Sequence, residues 1–323
     1  MNSPCVSVVM SVFNNAETVG LAMDSILAQS FDDFELIVID DGSTDGSAKV
    51  VADRVRRDPR VSVISQENTG LTRALIRGCA EARGRFIARQ DADDWSHADR
   101  LSEQVAVLDT APEVGFVSCW SECCGPRGEL LDVVVWPADS AQAGRLLLCE
   151  MQGPIHGSVM FRSELYQTVD GYREQFYFAQ DVDLWLRMVE RAQIAYIQRA
   201  LYRFVHSSTS ITGLHRSHQQ QFCDLGCACR QARIEDRAET PFLEEAQRLT
   251  DRVRQGRANA SERAANVITS QYFIGCQLLR RGDPRAAGYF WSCICRRPWH
   301  LKAWIQLLRS AVVRGSSQDA TRN

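Results

Sequence analysis

Two aspartates one residue apart, Asp91 and Asp93, are where side-chain chemistry concentrates first in this chain. Alternate side chains of an extended segment project to one side, so both carboxylates can address a single point. Such a pair of hard oxygen donors suits Mn²⁺ or Mg²⁺, ions held by one or two carboxylates with phosphate oxygens completing the shell. A bare Asp-x-Asp is also common as a solvated acidic turn, so the pair takes its meaning from its surroundings. Those surroundings are patterned: Asn14, Asp40, Asp41, Asn68, Asp91 and Asp93 all stand where a short apolar run ends. A further acidic cluster, Asp181-Val182-Asp183, opens the segment Leu184-Trp185-Leu186-Arg187.

The elements that must position these groups are legible from periodicity. Residues 6–13, 34–39, 61–64 and 86–88 are apolar runs of buried-strand length. Between them, Val19, Ala22, Met23, Ile26 and Leu27 follow the spacing of one helix face. Ala48, Val51, Ala52 and Val55 mark a second helix, and Leu71, Ala74, Leu75, Gly78 and Ala82 a third. Alternating strand and helix with near-continuous apolar strands predicts a parallel sheet covered on both faces. In such α/β folds ligands bind beyond the carboxyl ends of the strands, where the polar residues fall. Residues 114–119 and 131–136 read as strands extending the sheet into a mixed one, and Asp181 is placed to cap a helix whose buried side is Leu184, Trp185, Met188 and Val189. From about residue 216 only helices are predicted. Arg281-Gly282-Asp283-Pro284 joins two of them as stop, cap and restart, in the manner of a single tetratricopeptide-like hairpin. The expected division is 1–215 for the α/β domain and 216–323 for a helical extension.

Composition excludes several classes. A formal net charge of −3 argues against a general nucleic-acid binder. The 12 cysteines mostly sit among apolar residues, and no basic segment followed by an apolar stretch opens the chain, so a reducing cytoplasm is expected rather than a disulfide scaffold. No apolar stretch approaches the roughly 20 residues that span a bilayer, so membrane contact is expected to be at most peripheral. His215, His218, Cys223 and Cys227 match no standard zinc spacing, and the two cysteines fit a buried helix face.

Five loose motifs occur in one order: residues 6–15, Asp40-Asp41-Gly42-Ser43, Glu67-Asn68-Thr69-Gly70, Asp91-Ala92-Asp93-Asp94 and residues 180–187 from Gln180 to Arg187. Together they resemble the family 2 glycosyltransferases of GT-A fold, a Rossmann-like mixed sheet, over residues 5 to about 212. The resemblance implies an enzyme that moves a sugar from a nucleotide-sugar donor, with UDP the expected nucleotide, to a hydroxyl of a glycan or lipid-linked acceptor. It implies inversion at the anomeric carbon and a role in surface polysaccharide or glycoconjugate assembly. Ser11, Val12 and Phe13 would line the base pocket with Glu17 nearby, and Asp41 would accept a hydrogen bond from the base. Asn68, Gly70 and Arg73 would border the ribose and diphosphate, with Ala92 on the nucleotide side between the metal-binding Asp91 and Asp93. Asp181 would be the general base. His206 matches a third metal contact of some relatives, and His156 fits an acceptor-side loop. The chain departs from the pattern at Gln180, where an acid is usual, and at Ile76, where an asparagine is common.

Other readings fit less well. A nicotinamide-binding domain would need a glycine-rich turn where Asn14-Asn15-Ala16-Glu17 stands. A phosphoacceptor receiver carries its acids after the first strand, and a sugar nucleotidyltransferase begins with a glycine-rich pyrophosphate loop. The alternative to an enzyme is a non-catalytic sugar-nucleotide or glycan binding module with a helical interaction tail. The retained Asp91, Asp93 and Asp181 speak against it.

Overall fold

The computed structural model describes residues 3–206, 216–256 and 260–319. Nine strands form one sheet: β1 (Val6–Val12), β2 (Phe34–Asp40), β3 (Val61–Ser65), β4 (Phe86–Asp91), β5 (Trp95–Ser96), β6 (Val114–Cys124), β7 (Leu130–Val134), β8 (Met160–Arg162) and β9 (Gln193–Val205). Their order is β3-β2-β1-β4-β8-β6-β9-β5, with β7 paired to β6. The four strands β3, β2, β1 and β4 are parallel, while β8 runs antiparallel to both β4 and β6. The sheet is therefore mixed, as expected. Strand β6 runs on to Cys124, five residues past the expected end, with Cys123 and Cys124 both buried there. Strands β8 and β9 are not among the expected strands: β8 is only three residues long, and the apolar run at 194–197 in β9 is broken by Gln198 and Arg199.

Helices cover both faces. Helices α1 (Val19–Leu27), α2 (Ser47–Arg57) and α4 (Arg100–Thr110) pack on the side to which β1 sends Val8 and Met10. Helices α3 (Leu71–Glu81), α5 (Ser140–Glu150) and α7 (Gln180–Val189) cover the side that receives Val9, with Leu75, Leu147, Leu184 and Trp185 in that core. The two-residue alternation of β1 thus feeds two cores, which is why Val6, Val8, Val9, Met10 and Val12 are all apolar, with only Ser7 and Ser11 polar among its residues. A short α6 (Ser163–Thr168) follows β8.

Among the described residues five helices follow: α8 (Arg216–Ile234), α9 (Thr240–Gln255), α10 (Ala260–Arg280), α11 (Ala286–Arg296) and α12 (Leu301–Asp319). The chain divides into two compact units. One comprises Met1–Ser121, Val134–Phe204 and His218–Gln255; the other comprises Glu122–Val133, Val205–Ser217 and Gly256–Asn323. Helices α8 and α9 therefore group with the sheet. In the second unit Gly282 takes φ +71° just past α10, as the stop expects, but the restart differs: α11 begins at Ala286 with Arg285 at its cap, and Asp283, expected to cap it, instead accepts from Arg285 N at 2.8 Å in the turn before the helix. Cys293, Ile294 and Ala303 form its small core with Tyr272 and Leu307, and Glu129 accepts from the Tyr289 hydroxyl at 2.8 Å. Among the described residues no helix is long and apolar enough to cross a membrane.

Candidate functional site

Strand register brings the polar ends together. Ser11 pairs with Ile39 on one side and Asp91 on the other, and Val12 pairs with Asp40. The carboxyl ends of β1, β2 and β4 therefore finish at one level. Beyond them the loops are tied to one another. Asn14, at φ +51°, accepts from Thr44 N at 2.8 Å, Ser43 Oγ accepts from Asn14 N at 3.1 Å, and Ser47 Oγ accepts from Asn15 N at 2.9 Å. Val12 is buried, Ser11 half-buried, and Phe13 and Glu17 exposed.

Asp41 is buried and organises the next loop. Its Oδ1 accepts from Gln66 Nε2 at 2.7 Å, Thr69 N at 2.9 Å and Thr69 Oγ1 at 3.2 Å, and its Oδ2 accepts from Gly70 N at 2.9 Å. These bonds fix the segment that carries the exposed Asn68 and delivers the chain into α3. Gly70 lies at φ +91°, and a side chain there would meet the Tyr177 ring at 2.7 Å, so only glycine suits the position. Arg73 is exposed and pairs with Glu174 at 3.1 Å.

The acidic centre sits at the end of β4. Arg89, wholly buried, donates to Asp91 Oδ1 at 2.7 Å and to the carbonyl of Val9. Its Nε donates to His156 Nε2 at 3.3 Å, and the Tyr172 hydroxyl lies 2.6 Å from the same nitrogen. A guanidinium can only donate, so Nε2 of His156 is an acceptor and its proton resides on Nδ1. Burial, with Arg89 adding to it, holds His156 well below the usual histidine range, and it is neutral. Tyr202 arrives on β9, held against this loop by β5: its hydroxyl donates to Asp94 Oδ2 at 2.8 Å and accepts from Asp91 N at 3.3 Å. Among the described residues nothing donates to Asp91 Oδ2. Asp93 is open to solvent, yet its carboxyl is pushed up to about 6, first by the protein atoms that displace water around it and then by repulsion from Asp91. Ala92 between them is buried.

Asp181 shares this field. Its carboxyl is raised by burial, lowered by the N–H groups of Val182 and of its own residue, raised by Asp91 and lowered by Arg89. It does not cap α7, contrary to expectation. The cap is Ala179, at φ +54°, and Asp181 lies in the first turn. That left-handed alanine turns the backbone two residues earlier than the side-chain pattern suggested, at a cost of roughly 1–2 kcal/mol. The surroundings hold it there. Phe176, Phe178 and Ala179 pack with Phe222, Cys229, Ala246 and Leu249 of α8 and α9, and Thr72 Oγ1 donates to the Phe176 carbonyl at 2.7 Å. Cys223 of α8 is pushed up to about 12, by burial and then by the Asp181 charge, so α8 borders the carboxylate. The neighbouring acid, Asp183, is buried against Arg187 at 2.6 Å and Arg173 at 3.5 Å and serves the framework.

His206 belongs to the second unit. Its N–H donates to the Cys124 carbonyl at 2.8 Å, its ring lies 4.7 Å from that of Phe273, and Nε2 is buried without a partner among the described residues. No three His, Cys, Asp or Glu side chains gather at metal-binding distance among the described residues. Of the histidine–cysteine set in the tail, His215 lies outside the described residues.

Arg89, Gly157, Tyr172 and Tyr202 were missed by reading the sequence. The signal available was Arg89 itself, a cation inside an apolar strand two residues before Asp91 and so on its face.

Comparison with known proteins bears on this arrangement. The profile described as glycosyl transferase family 2 matches residues 7–169. EpsE of Bacillus subtilis (strain 168) is 35% identical over 212 residues, which are 63% of this chain and 74% of EpsE. Chondroitin synthase of Pasteurella multocida (strain Pm70) is 25% identical over 72% of this chain, but the chain spans only 24% of that protein. Among solved structures, Staphylococcus aureus TarS 1-349 in complex with UDP-GlcNAc superposes with a TM-score of 0.58 at 16% identity, covering 98% of this chain and 92% of that one. The mannosyltransferase PcManGT from Pyrobaculum calidifontis, in complex with GDP-Man and Mn²⁺, gives 0.54 at 18%, covering 97% and 87%. The architecture is that of the GT-A fold with helices added at the C-terminal side.

Proposed function

Because the chain belongs to glycosyl transferase family 2, we propose that it transfers a sugar from a nucleoside-diphosphate donor to an acceptor hydroxyl in one displacement, with inversion. The observation that carries this reading is the placement of Asp91 at the carboxyl end of β4, level with the ends of β1 and β2 and held by Arg89 at 2.7 Å, with Asp93 two residues on and Asp181 near enough to feel its charge.

In this reading Asp181 takes the proton of the acceptor hydroxyl. Burial, and then the nearby Asp91, make its carboxylate a stronger base than a solvated one, opposed by the N–H groups of Val182 and of its own residue and, least, by Arg89. A single base suffices, since no glycosyl-enzyme intermediate is needed for inversion. Ser11, Val12 and Phe13 would receive the base, with Glu17 at the rim. Asp41 already spends Oδ1 on the 66–69 loop, so a base N–H would be accepted by Oδ2, which holds only Gly70 N among the described residues. Asn68, Gly70, Arg73 and Ala92 would flank the ribose and diphosphate.

Asp91 and Asp93 fit a divalent cation. They are two oxygen donors whose mutual repulsion and poor hydration, felt in the raised Asp93, a cation would relieve. When bound, Mn²⁺ or Mg²⁺ would stabilise the charge that grows on the departing diphosphate. Proteins of this fold hold either kind of nucleotide sugar, UDP-GlcNAc in TarS and GDP-Man in PcManGT, so the UDP donor rests on the family resemblance alone, while a role in polysaccharide assembly is in keeping with the chondroitin synthase relative.

The test is a panel of nucleotide sugars with Mn²⁺, reading nucleoside-diphosphate release. The wild type should turn over one donor, and Asp181→Asn should lose about a thousandfold in rate while still binding it. Donor binding without any turnover by the wild type would instead favour a binding module.

A further inference from the structure

Residues 284–318 contain no aspartate or glutamate, yet carry Arg285, Arg296, Arg297, Lys302, Arg309 and Arg314, in a chain whose formal net charge is −3. The same stretch of the second unit exposes large apolar side chains: Trp299 at 71%, Leu301 at 74% and Leu308 at 69%, with Trp291, Trp304 and Ile305 also open. The packing needs of the helix pair are met without them, by the buried Ala303 and the partly buried Leu307. Trp291 of α11 meets Trp304 of α12 edge-on, with ring centroids 6.4 Å apart, so the two helices contribute to one patch. Trp304 Nε1 donates to the Pro298 carbonyl at 2.8 Å, which satisfies its polar edge and leaves its ring apolar. Arg296, Arg297, Lys302 and Arg309 are exposed, and none pairs with a carboxylate among the described residues. Between α10 and α12 a groove of about 360 Å³, lined by Cys276, Leu279, Arg280, Gln306 and Arg309, sets two guanidiniums beside an apolar floor.

We propose that this face docks on an anionic lipid bilayer. The tryptophans and leucines enter the headgroup boundary, Arg296, Arg297 and Lys302 meet lipid phosphates from the rim, and the groove takes a phosphate between Arg280 and Arg309. Tryptophan prefers that boundary because its body is apolar and its edge polar. Cations near an anionic surface each add to binding, and apolar area does the same. A second copy of this chain is a poorer occupant, because residues 284–318 bring no carboxylate of their own and would set cation against cation. Nucleic acid offers phosphates but no use for exposed Ile305, Leu301 and Leu308.

The test is co-sedimentation of the full chain with vesicles of phosphatidylcholine alone or mixed with phosphatidylglycerol, at low and high salt. Partition should require phosphatidylglycerol and fall steeply with salt. Arg296→Gln with Lys302→Gln should lower the partition coefficient about thirtyfold. Trp299→Ser with Leu308→Ser should lower it at least tenfold. Both pairs are exposed, so circular dichroism and donor turnover should match the wild type, which keeps this test separate from the proposed reaction. The proposal is overturned by equal partition to neutral vesicles, by no binding to anionic ones at low salt, or by binding that both variants retain. A dimer in sedimentation velocity that Trp299→Ser abolishes, or duplex DNA binding without vesicle binding, would equally overturn it.

Discussion

Replacing Gly157 with alanine asks whether the acidic centre is held by packing as tight as it looks. A methyl group there would stand 1.9 Å from the Tyr202 hydroxyl oxygen, 2.7 Å from its Cζ and 2.9 Å from Asp91 Oδ2. The first contact falls about 1.5 Å short of an ordinary one, and it involves a ring that is itself buried. The backbone at Gly157 is outside the left-handed region, so glycine's conformational freedom is not what the position needs. On unfolded-state entropy alone, alanine would stabilise by about 0.4–1 kcal/mol. Overpacking costs about 1–3 kcal/mol, and loss of the Tyr202–Asp94 hydrogen bond to a charged acceptor about 1.5–3 kcal/mol. The net expectation is destabilisation by about 2–5 kcal/mol, opposite in sign to the entropic effect. A displacement of Asp91 on the order of 1 Å should also lower kcat/KM about a hundredfold. Urea unfolding and nucleoside-diphosphate release read the two effects separately. Tyr202→Phe removes the nearest atom but leaves Cζ, so it should cost less in the alanine background than in the wild type, giving a coupled double-mutant cycle. A Gly157→Ala protein as stable as the wild type, with full activity, would refute the reasoning.

Three other outcomes follow from the same site. Asp93, raised to about 6, takes up a proton on folding, so its favourable contribution to stability is complete below about 3.8 and lost as pH rises through about 6; Mn²⁺ needs the ionised form, so the thermal shift it produces should be large at pH 7.5, small at pH 5 and absent in Asp93→Asn. Asp41→Asn replaces an acceptor of four hydrogen bonds with a group that must present a donor to some of them, and should cost about 2–4 kcal/mol in urea unfolding and weaken donor binding in a titration. Arg89→Met leaves Asp91 without its cation and should destabilise by about 3–5 kcal/mol; it should also raise the pKa of His156, because Arg89 adds to the burial that depresses it, a change that NMR titration would follow.

The sequence by itself determined the parallel core of the sheet and where its carboxyl ends lie. Parallel strands buried on both faces are mostly apolar, and the helices between them repeat every three to four residues, so both signals are local. It also marked the polar residues at those ends, because a run of valine and isoleucine stopping at Asp40 or Asp91 is visible without any partner. What it did not reveal were β8 and β9, whose mixed composition reflects neighbours far along the chain. Nor did it mark the cap of α7, which rests on a left-handed Ala179 that only its packing against Phe222, Ala246 and Leu249 sustains. Only tertiary structure decided that the helices α8 and α9 brace the segment leading to Asp181, and that Arg89, His156, Tyr172, Gly157 and Tyr202 surround Asp91. These residues are separated by up to 113 positions in the chain, and charge, burial and contact between them exist only once the strands that carry them lie side by side.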